Sequence, residues 1–226
     1  MTTRKVPVLS LTKYRSADMA QKQEFINDLY NSFKEYGFVV IKDHSIPSEI
    51  MKKSYALQEK LFQLPTDVKM KYFMNNGGQR GYTPFASENA KGASVKDLKE
   101  FWHIGRDYRP EEPEATLYPQ NVWVNELDSF KETFKELYAQ LETVGDTVLE
   151  ALTHSLEVPV NFFKERTENG NTVMRLLHYP PVPEHLEPEQ VRAFRHTDIN
   201  LITLLIAAQG SGLQLLDRDG NWLDVK

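Results

Sequence analysis

Arg195-His196-Thr197-Asp198 stands directly before an apolar run, Ile199-Asn200-Leu201-Ile202-Thr203-Leu204-Leu205-Ile206-Ala207. This stretch narrows the possible folds more than any other, because a run so rich in Leu and Ile reads as a buried strand. In an extended strand residues two apart share a face, so the His196 imidazole and the Asp198 carboxylate are expected side by side. Gly210-Ser211-Gly212 follows as turn material, then Leu213-Gln214-Leu215-Leu216, a second turn at Asp217-Arg218-Asp219-Gly220, and Asn221-Trp222-Leu223-Asp224-Val225. That is a meander of short strands with a polar pair at the mouth of the first. Small β-barrels and jelly rolls present their sites in this way.

A nitrogen donor beside a carboxylate can fill two positions on a metal ion. The set that suits such a pair is ferrous iron held by two His and one carboxylate on one face of an octahedron, with the other face open. The bare tripeptide more often reads as a polar strand end or turn. No obvious third ligand follows it, since His196 is the last histidine in the sequence.

The chain fits one domain, or one core with an added helical part, and 226 residues with 40% hydrophobic composition can fill it. Val6 to Leu11 is a first strand. Ala17 to Tyr36 is a helix with Phe25, Ile26, Leu29, Phe33 and Tyr36 at helical spacing, closed by Gly37 as a left-handed cap. Phe38 to Ile41 is a short buried strand, and His44 after it reads as a hydrogen-bonding turn residue. A second helix runs from about Pro47 to Pro65. The turn-rich loop from Asn75 to Pro84 carries Arg80 and Tyr82, and Lys99 to Asp107 returns to strand with Phe101 and His103 on one face. Past a Pro- and Glu-rich linker, Phe130, Phe134, Leu137, Leu141, Val144, Val148 and Leu152 trace one stripe along a long helix from about Glu126 to Ser155. Thr172 to Tyr179 is a further strand.

Bulk properties limit the partners. A net charge of -5 and a pI near 5.7 speak against non-specific nucleic-acid binding, which needs a basic face. There is no cysteine to build a disulfide framework. No signal-peptide pattern or membrane-length apolar stretch occurs, so a cytoplasmic protein with no membrane partner is expected.

His196-Thr197-Asp198, Thr203-Leu204-Leu205, Gly212-Leu213-Gln214 and Met174-Arg175-Leu176-Leu177-His178-Tyr179-Pro180-Pro181 together resemble the isopenicillin N synthase-like iron(II)/2-oxoglutarate-dependent dioxygenases. The resemblance extends to the start of the chain through Val6-Pro7-Val8-Leu9-Ser10-Leu11, Tyr36-Gly37-Phe38-Val39-Val40-Ile41 and Phe62-Gln63-Leu64-Pro65. It implies an α+β fold, a double-stranded β-helix (jelly roll) with an N-terminal helical and strand region and a long supporting helix. Residues 1–120 would form the N-terminal region, and 121–226 the long helix and the first part of the jelly roll.

The same resemblance implies Fe(II), 2-oxoglutarate as cosubstrate and dioxygen. Oxidation of a small organic substrate by hydroxylation, desaturation or ring closure would release succinate and CO2. His196 and Asp198 match the metal ligands. Tyr179 matches the second Tyr of the family's Asn-Tyr-Tyr-Pro run, whose hydroxyl reaches the cosubstrate's carboxylate region, while Leu177 replaces the Asn and supplies no polar contact. Arg80 and Tyr82 fall on a loop that lies over the substrate cavity, and are candidates for substrate binding. The competing reading of that loop is a solvated turn whose Tyr packs on the barrel.

Relatives carry a further His and an Arg-x-Ser downstream of the His-x-Asp, and neither follows Asp198 here. The expectation is a barrel incomplete in this chain, completed by a missing C-terminal segment or a second chain, with little activity from the 226 residues alone. A family oxidase that does without 2-oxoglutarate and a non-catalytic or split fragment acting as a binding or regulatory piece are the alternatives.

Overall fold

A computed structural model describes residues 4–75, 77, 79–88, 96–182, 184–185, 191–206 and 212–225. In chain order the elements are β1 (Val8–Ser10), α1 (Leu11–Tyr14), α2 (Met19–Tyr36), β2 (Val40–Lys42), α3 (Ser48–Gln63), α4 (Thr66–Met70), β3 (Gly81–Thr83) and β4 (Glu100–Gly105). They continue with α5 (Glu114–Leu117), α6 (Phe130–Leu156), α7 (Lys164–Thr167), β5 (Val173–His178), β6 (Gln214–Leu216) and β7 (Trp222–Asp224). The chain divides into two compact units. One holds Met1–Ile46, Gln140–Glu168 and Thr203–Lys226, and the other Pro47–Ala139 and Asn169–Ile202.

In the first unit, α2 starts where the Asp18 carboxylate accepts hydrogen bonds from the backbone N–H groups of Ala20 (2.8 Å) and Gln21 (3.4 Å). It ends where Gly37, at φ 66°, donates its N–H to the Phe33 carbonyl. Phe25, Ile26 and Leu29 face inward on it. β1 and β2 pair in parallel, Val8 opposite Val40, so pairing begins two residues later than the apolar run at Phe38 suggests. The Tyr14 hydroxyl donates to Glu150 on α6 at 2.7 Å, which ties α1 to the second half of the long helix. β6 and β7 form the expected hairpin. Its turn is closed by Asp217, whose Oδ1 accepts from the N–H groups of Asp219 (2.9 Å) and Asn221 (2.8 Å).

The second unit is built on the antiparallel sheet β3-β4-β5, in which Tyr82 faces Trp102 and Trp102 faces Leu176. β4 is buried along its whole length. Trp102 sits 5.4 Å from the Tyr72 ring and meets Phe130 edge-on at 5.8 Å, so the aromatic start of α6 packs on the centre of the sheet. The stripe read from sequence therefore begins in this unit, with Phe130, Phe134 and Leu137 all buried.

Gly81 opens β3 at φ 71°, where a Cβ would lie 2.5 Å from the Tyr72 carbonyl oxygen. That carbonyl accepts the Tyr82 N–H at 3.1 Å and cannot retreat without losing the bond. Gly81→Ala is expected to cost about 1–3 kcal/mol. Urea unfolding checks this: the midpoint should fall with the slope unchanged, and an unchanged midpoint would show that the turn relaxes freely.

The arrangement is a mixed fold of long helices and an incomplete antiparallel sheet, consistent with part of a double-stranded β-helix. Among the described residues no closed barrel is formed. The run after Asp198 departs from expectation: residues 199–206 form no strand, and Ile199 is 95% exposed, with Leu201 and Leu205 also exposed. A strand is defined by its pairing with another, and no described strand pairs with residues 199–206. Apolar composition alone does not make one. Residues 207–211, which hold the end of that run and the Gly210-Ser211 turn, lie outside the described residues.

Candidate functional site

His196 and Asp198 stand together even without a regular strand beneath them, with Nε2 3.8 Å from Oδ1. Both side chains are about half exposed. The other ring nitrogen of His196, Nδ1, lies 2.8 Å from the Phe194 carbonyl oxygen. A carbonyl only accepts, so Nδ1 carries the proton in that bond, and in the neutral ring Nε2, the nitrogen on the Asp198 side, holds the free lone pair. Donor atoms on neighbouring positions of one octahedral ion, each at 2.0–2.2 Å, would lie about 3 Å apart, within reach of the observed separation by small side-chain rotations. Nitrogen and carboxylate are the donors that iron(II) accepts, so the pair fits two of its positions. Among the described residues no group of three His, Cys, Asp or Glu side chains is placed to hold a metal.

The segment carrying the pair is tied to the residues entering β4. The Val191 carbonyl accepts from the Leu98 N–H at 3.1 Å, and the Phe194 N–H donates to Asp97 Oδ1 at 2.9 Å. Asp97 is buried, and its second oxygen accepts from Lys99 Nζ at 2.8 Å. Lys99 also reaches Glu88 at 3.0 Å. Burial works against the Lys99 charge, but the hydrogen bonds from its ammonium to Asp97 and Glu88 prevail and hold its pKa above the usual lysine value.

Tyr179, one residue past β5, is 36% exposed. Burial raises its hydroxyl pKa; Asp97 and Glu88 push the same way, while Lys99 and Arg175 oppose. A tyrosine hydroxyl is protonated at neutral pH without any shift, so it is available as a donor there. Arg175 shares this side of the sheet, its guanidinium 4.4 Å over the Phe101 ring and its Nε 2.5 Å from His103. His103 is buried against these groups, as a framework residue would be.

On the opposite face Glu100 is the centre. Its Oε2 accepts from Lys69 Nζ at 2.8 Å and from the Tyr82 hydroxyl at 2.5 Å, and its Oε1 lies 2.8 Å from His178 Nδ1. His178 in turn stacks on Phe62 with ring centres 5.0 Å apart. Tyr82 is only 2% exposed, and its pKa is raised by burial and by the bond to Glu100. Arg80 is buried too. It donates to the Gln79 carbonyl at 2.7 Å and to Asn171 at 2.8 Å, with its guanidinium lying across Gly105, where any Cβ would collide with it. The structure brings Tyr82 to Glu100 and Arg80 to Asn171, and neither side chain to His196.

Sequence reasoning passed over Lys69, Asp97, Lys99 and Glu100. The available signal was their place: Asp97, Lys99 and Glu100 lead straight into Phe101-Trp102-His103-Ile104, and charges at the mouth of a buried strand need partners.

Two family models match the chain. Residues 6–126 match the N-terminal region described as non-haem dioxygenase in morphine synthesis, and residues 170–226 match the 2OG-Fe(II) oxygenase superfamily. The chain belongs to the 2-oxoglutarate/Fe(II) dioxygenase superfamily. Within this superfamily it is 32% identical to a 2-oxoglutarate-Fe(II) type oxidoreductase of Emericella nidulans, over 97% of this chain and 66% of the relative. It is 31% identical to a 2-oxoglutarate-dependent dioxygenase of Monascus ruber, over 97% of this chain and 70% of that protein. Among solved structures, a 2OG-Fe(II) oxygenase family protein from Caulobacter crescentus shares 40% identity at a TM-score of 0.84, covering 98% of this chain and 70% of the other. A full-length Neurospora crassa protein, solved in complex with alpha-KG and thymine, shares 26% identity at a TM-score of 0.82, covering 97% and 70%. This dioxygenase-superfamily chain thus spans about two thirds of the length of the relatives it matches. No helix among the described residues is long and apolar enough to cross a membrane.

Proposed function

We propose that the chain contributes to an Fe(II)- and 2-oxoglutarate-dependent oxygenase that oxidises a small organic substrate, with His196 and Asp198 as two of the iron ligands. The observation that carries this is the pairing of the His196 Nε2 with the Asp198 carboxylate 3.8 Å away. When bound, the iron with 2-oxoglutarate and dioxygen supplies the oxidising chemistry, and the oxoacid leaves as succinate and CO2.

The residues of the chain bind and orient. The Phe194 carbonyl fixes the His196 tautomer, so that Nε2 faces the metal position. Tyr179 donates from its hydroxyl to a cosubstrate carboxylate. Arg80 and Tyr82, the substrate-binding candidates, are buried, and their part is to hold the turn into β3 through Asn171 and Glu100. The division into an N-terminal region, 1–120, and a jelly-roll region, 121–226, belongs to the same proposal, as does a cytoplasmic location.

With two donors and no third among the described residues, the 226 residues are expected to hold Fe(II) and 2-oxoglutarate weakly and to turn over little substrate. An anaerobic titration with Fe(II) and 2-oxoglutarate checks this. The visible charge-transfer band should need a large excess of cosubstrate; a band complete at stoichiometric 2-oxoglutarate would refute the weak-site account. Where turnover is measurable, one succinate per dioxygen consumed separates this function from an oxidase that does without the oxoacid.

A further inference from the structure

Two hydrogen bonds join residues 191–194 to residues 97–98, and one of them ends on a buried charge. A carboxylate on a single backbone N–H is a costly way to satisfy an amide, because the charge must itself be compensated in the interior. Here Lys99, also buried, supplies that compensation at 2.8 Å, and Glu88 engages the far side of Lys99. The connection runs on without a break. Asp97 Oδ1 accepts the Phe194 N–H, and the carbonyl of the same residue, Phe194, accepts the His196 ring N–H at 2.8 Å.

We infer that Asp97 is a positioning residue for the His196 and Asp198 pair, and that Lys99 holds Asp97 in place for this task. The inference rests on the metal-ligand role proposed above. The Phe194 N–H and carbonyl belong to successive peptide units that meet at the Phe194 Cα, so anchoring the first leaves the second only the two Phe194 torsions to turn about, and the acceptor that sets the His196 ring is restrained near where Nε2 needs it. Asp97 would not touch metal, cosubstrate or substrate. It acts through Phe194.

The test uses the full 226-residue chain with Asp97→Ala and Asp97→Asn. The asparagine amide oxygen can still accept the Phe194 N–H but carries no charge, which separates the grip on the peptide from general loss of an ion pair. Two readouts are followed: hydrogen exchange at the Phe194 amide without metal, and Mn(II)-induced broadening of the His196 ring signals. In Asp97→Ala we expect Phe194 exchange to rise at least tenfold and the Mn(II) needed for half-broadening to rise by roughly ten- to a hundredfold. Asp97→Asn should recover most of both. Unchanged Phe194 exchange in Asp97→Ala, or an Asp97→Asn variant as impaired as the alanine, overturns the positioning role and leaves the metal reading intact. Mn(II) broadening elsewhere in the chain that is the same in His196→Ala as in the parent overturns the metal reading, and the positioning role falls with it. If Asp97→Ala does not fold, Asp97→Asn decides: parent-like exchange at Phe194 supports the inference and fast exchange ends it.

Discussion

Glu100→Ala should be the most damaging single substitution in the second unit, lowering stability by about 3–5 kcal/mol. The side chains of Glu100 and Lys69 are 5% and 7% exposed, so removing the carboxylate leaves an ammonium inside the protein with the Phe62 carbonyl as its remaining bond, at 3.1 Å. The Tyr82 hydroxyl and the His178 ring lose the same acceptor. Much of the expected loss is the stranded Lys69 charge, which makes the prediction specific: Lys69→Met combined with Glu100→Leu should recover a large part of it. Urea unfolding of the parent, the single and the double variant checks this, and a double variant no better than Glu100→Ala would show that the charge pair is not what the region depends on.

The same carboxylate sets an acid limit. Burial would raise the Glu100 pKa, but hydrogen bonds from Lys69, Tyr82 and His178 outweigh it and hold the group below its ordinary value of 4.5. A carboxyl whose folded value is depressed stabilises the fold fully above its unfolded value, and that contribution is lost as pH falls through the folded value. The loss attributable to Glu100 should therefore begin below about pH 4.5 and be absent from the Glu100→Leu, Lys69→Met chain.

His196→Ala carries the second large effect, on metal binding rather than on stability. With two donors in the pair, removing the imidazole leaves one exposed carboxylate, no better than many on an acidic surface. Affinity for Co(II), read from its visible absorption, should weaken on the order of a hundredfold. Asp198→Ala should do the same, and Asp198→Asn nearly so, because an amide oxygen is a poor substitute for a charged ligand. The fold should be untouched, since both side chains are half in solvent. A loss of stability in these variants would point to a structural task for the pair.

What the sequence made legible follows from locality. The Gly37 cap of α2 and the stripe along α6 are decided within a few residues, and both stand where the pattern puts them. The β6 and β7 hairpin is equally local, its turn fixed by Asp217. The failure lies with residues 199–206, because strandedness belongs to a pair of segments and an apolar run states only half of that condition. The buried charges escaped for a related reason. Lys69 and Glu100 are 31 positions apart, Asp97 and Phe194 are 97 apart, and nothing near any one of them in sequence announces its partner. The His196 and Asp198 spacing was readable because both groups lie within three residues; the peptide that orients them was not.

The most direct measurement is a map of paramagnetic broadening across the backbone and histidine signals of the unmodified chain as Mn(II) is added without cosubstrate. The account predicts that His196 and Asp198 broaden first, followed by Phe194 and Tyr179, while the other five histidines keep their lines at the same metal concentration. Broadening that begins at another acidic cluster, with His196 among the last signals to respond, would contradict it.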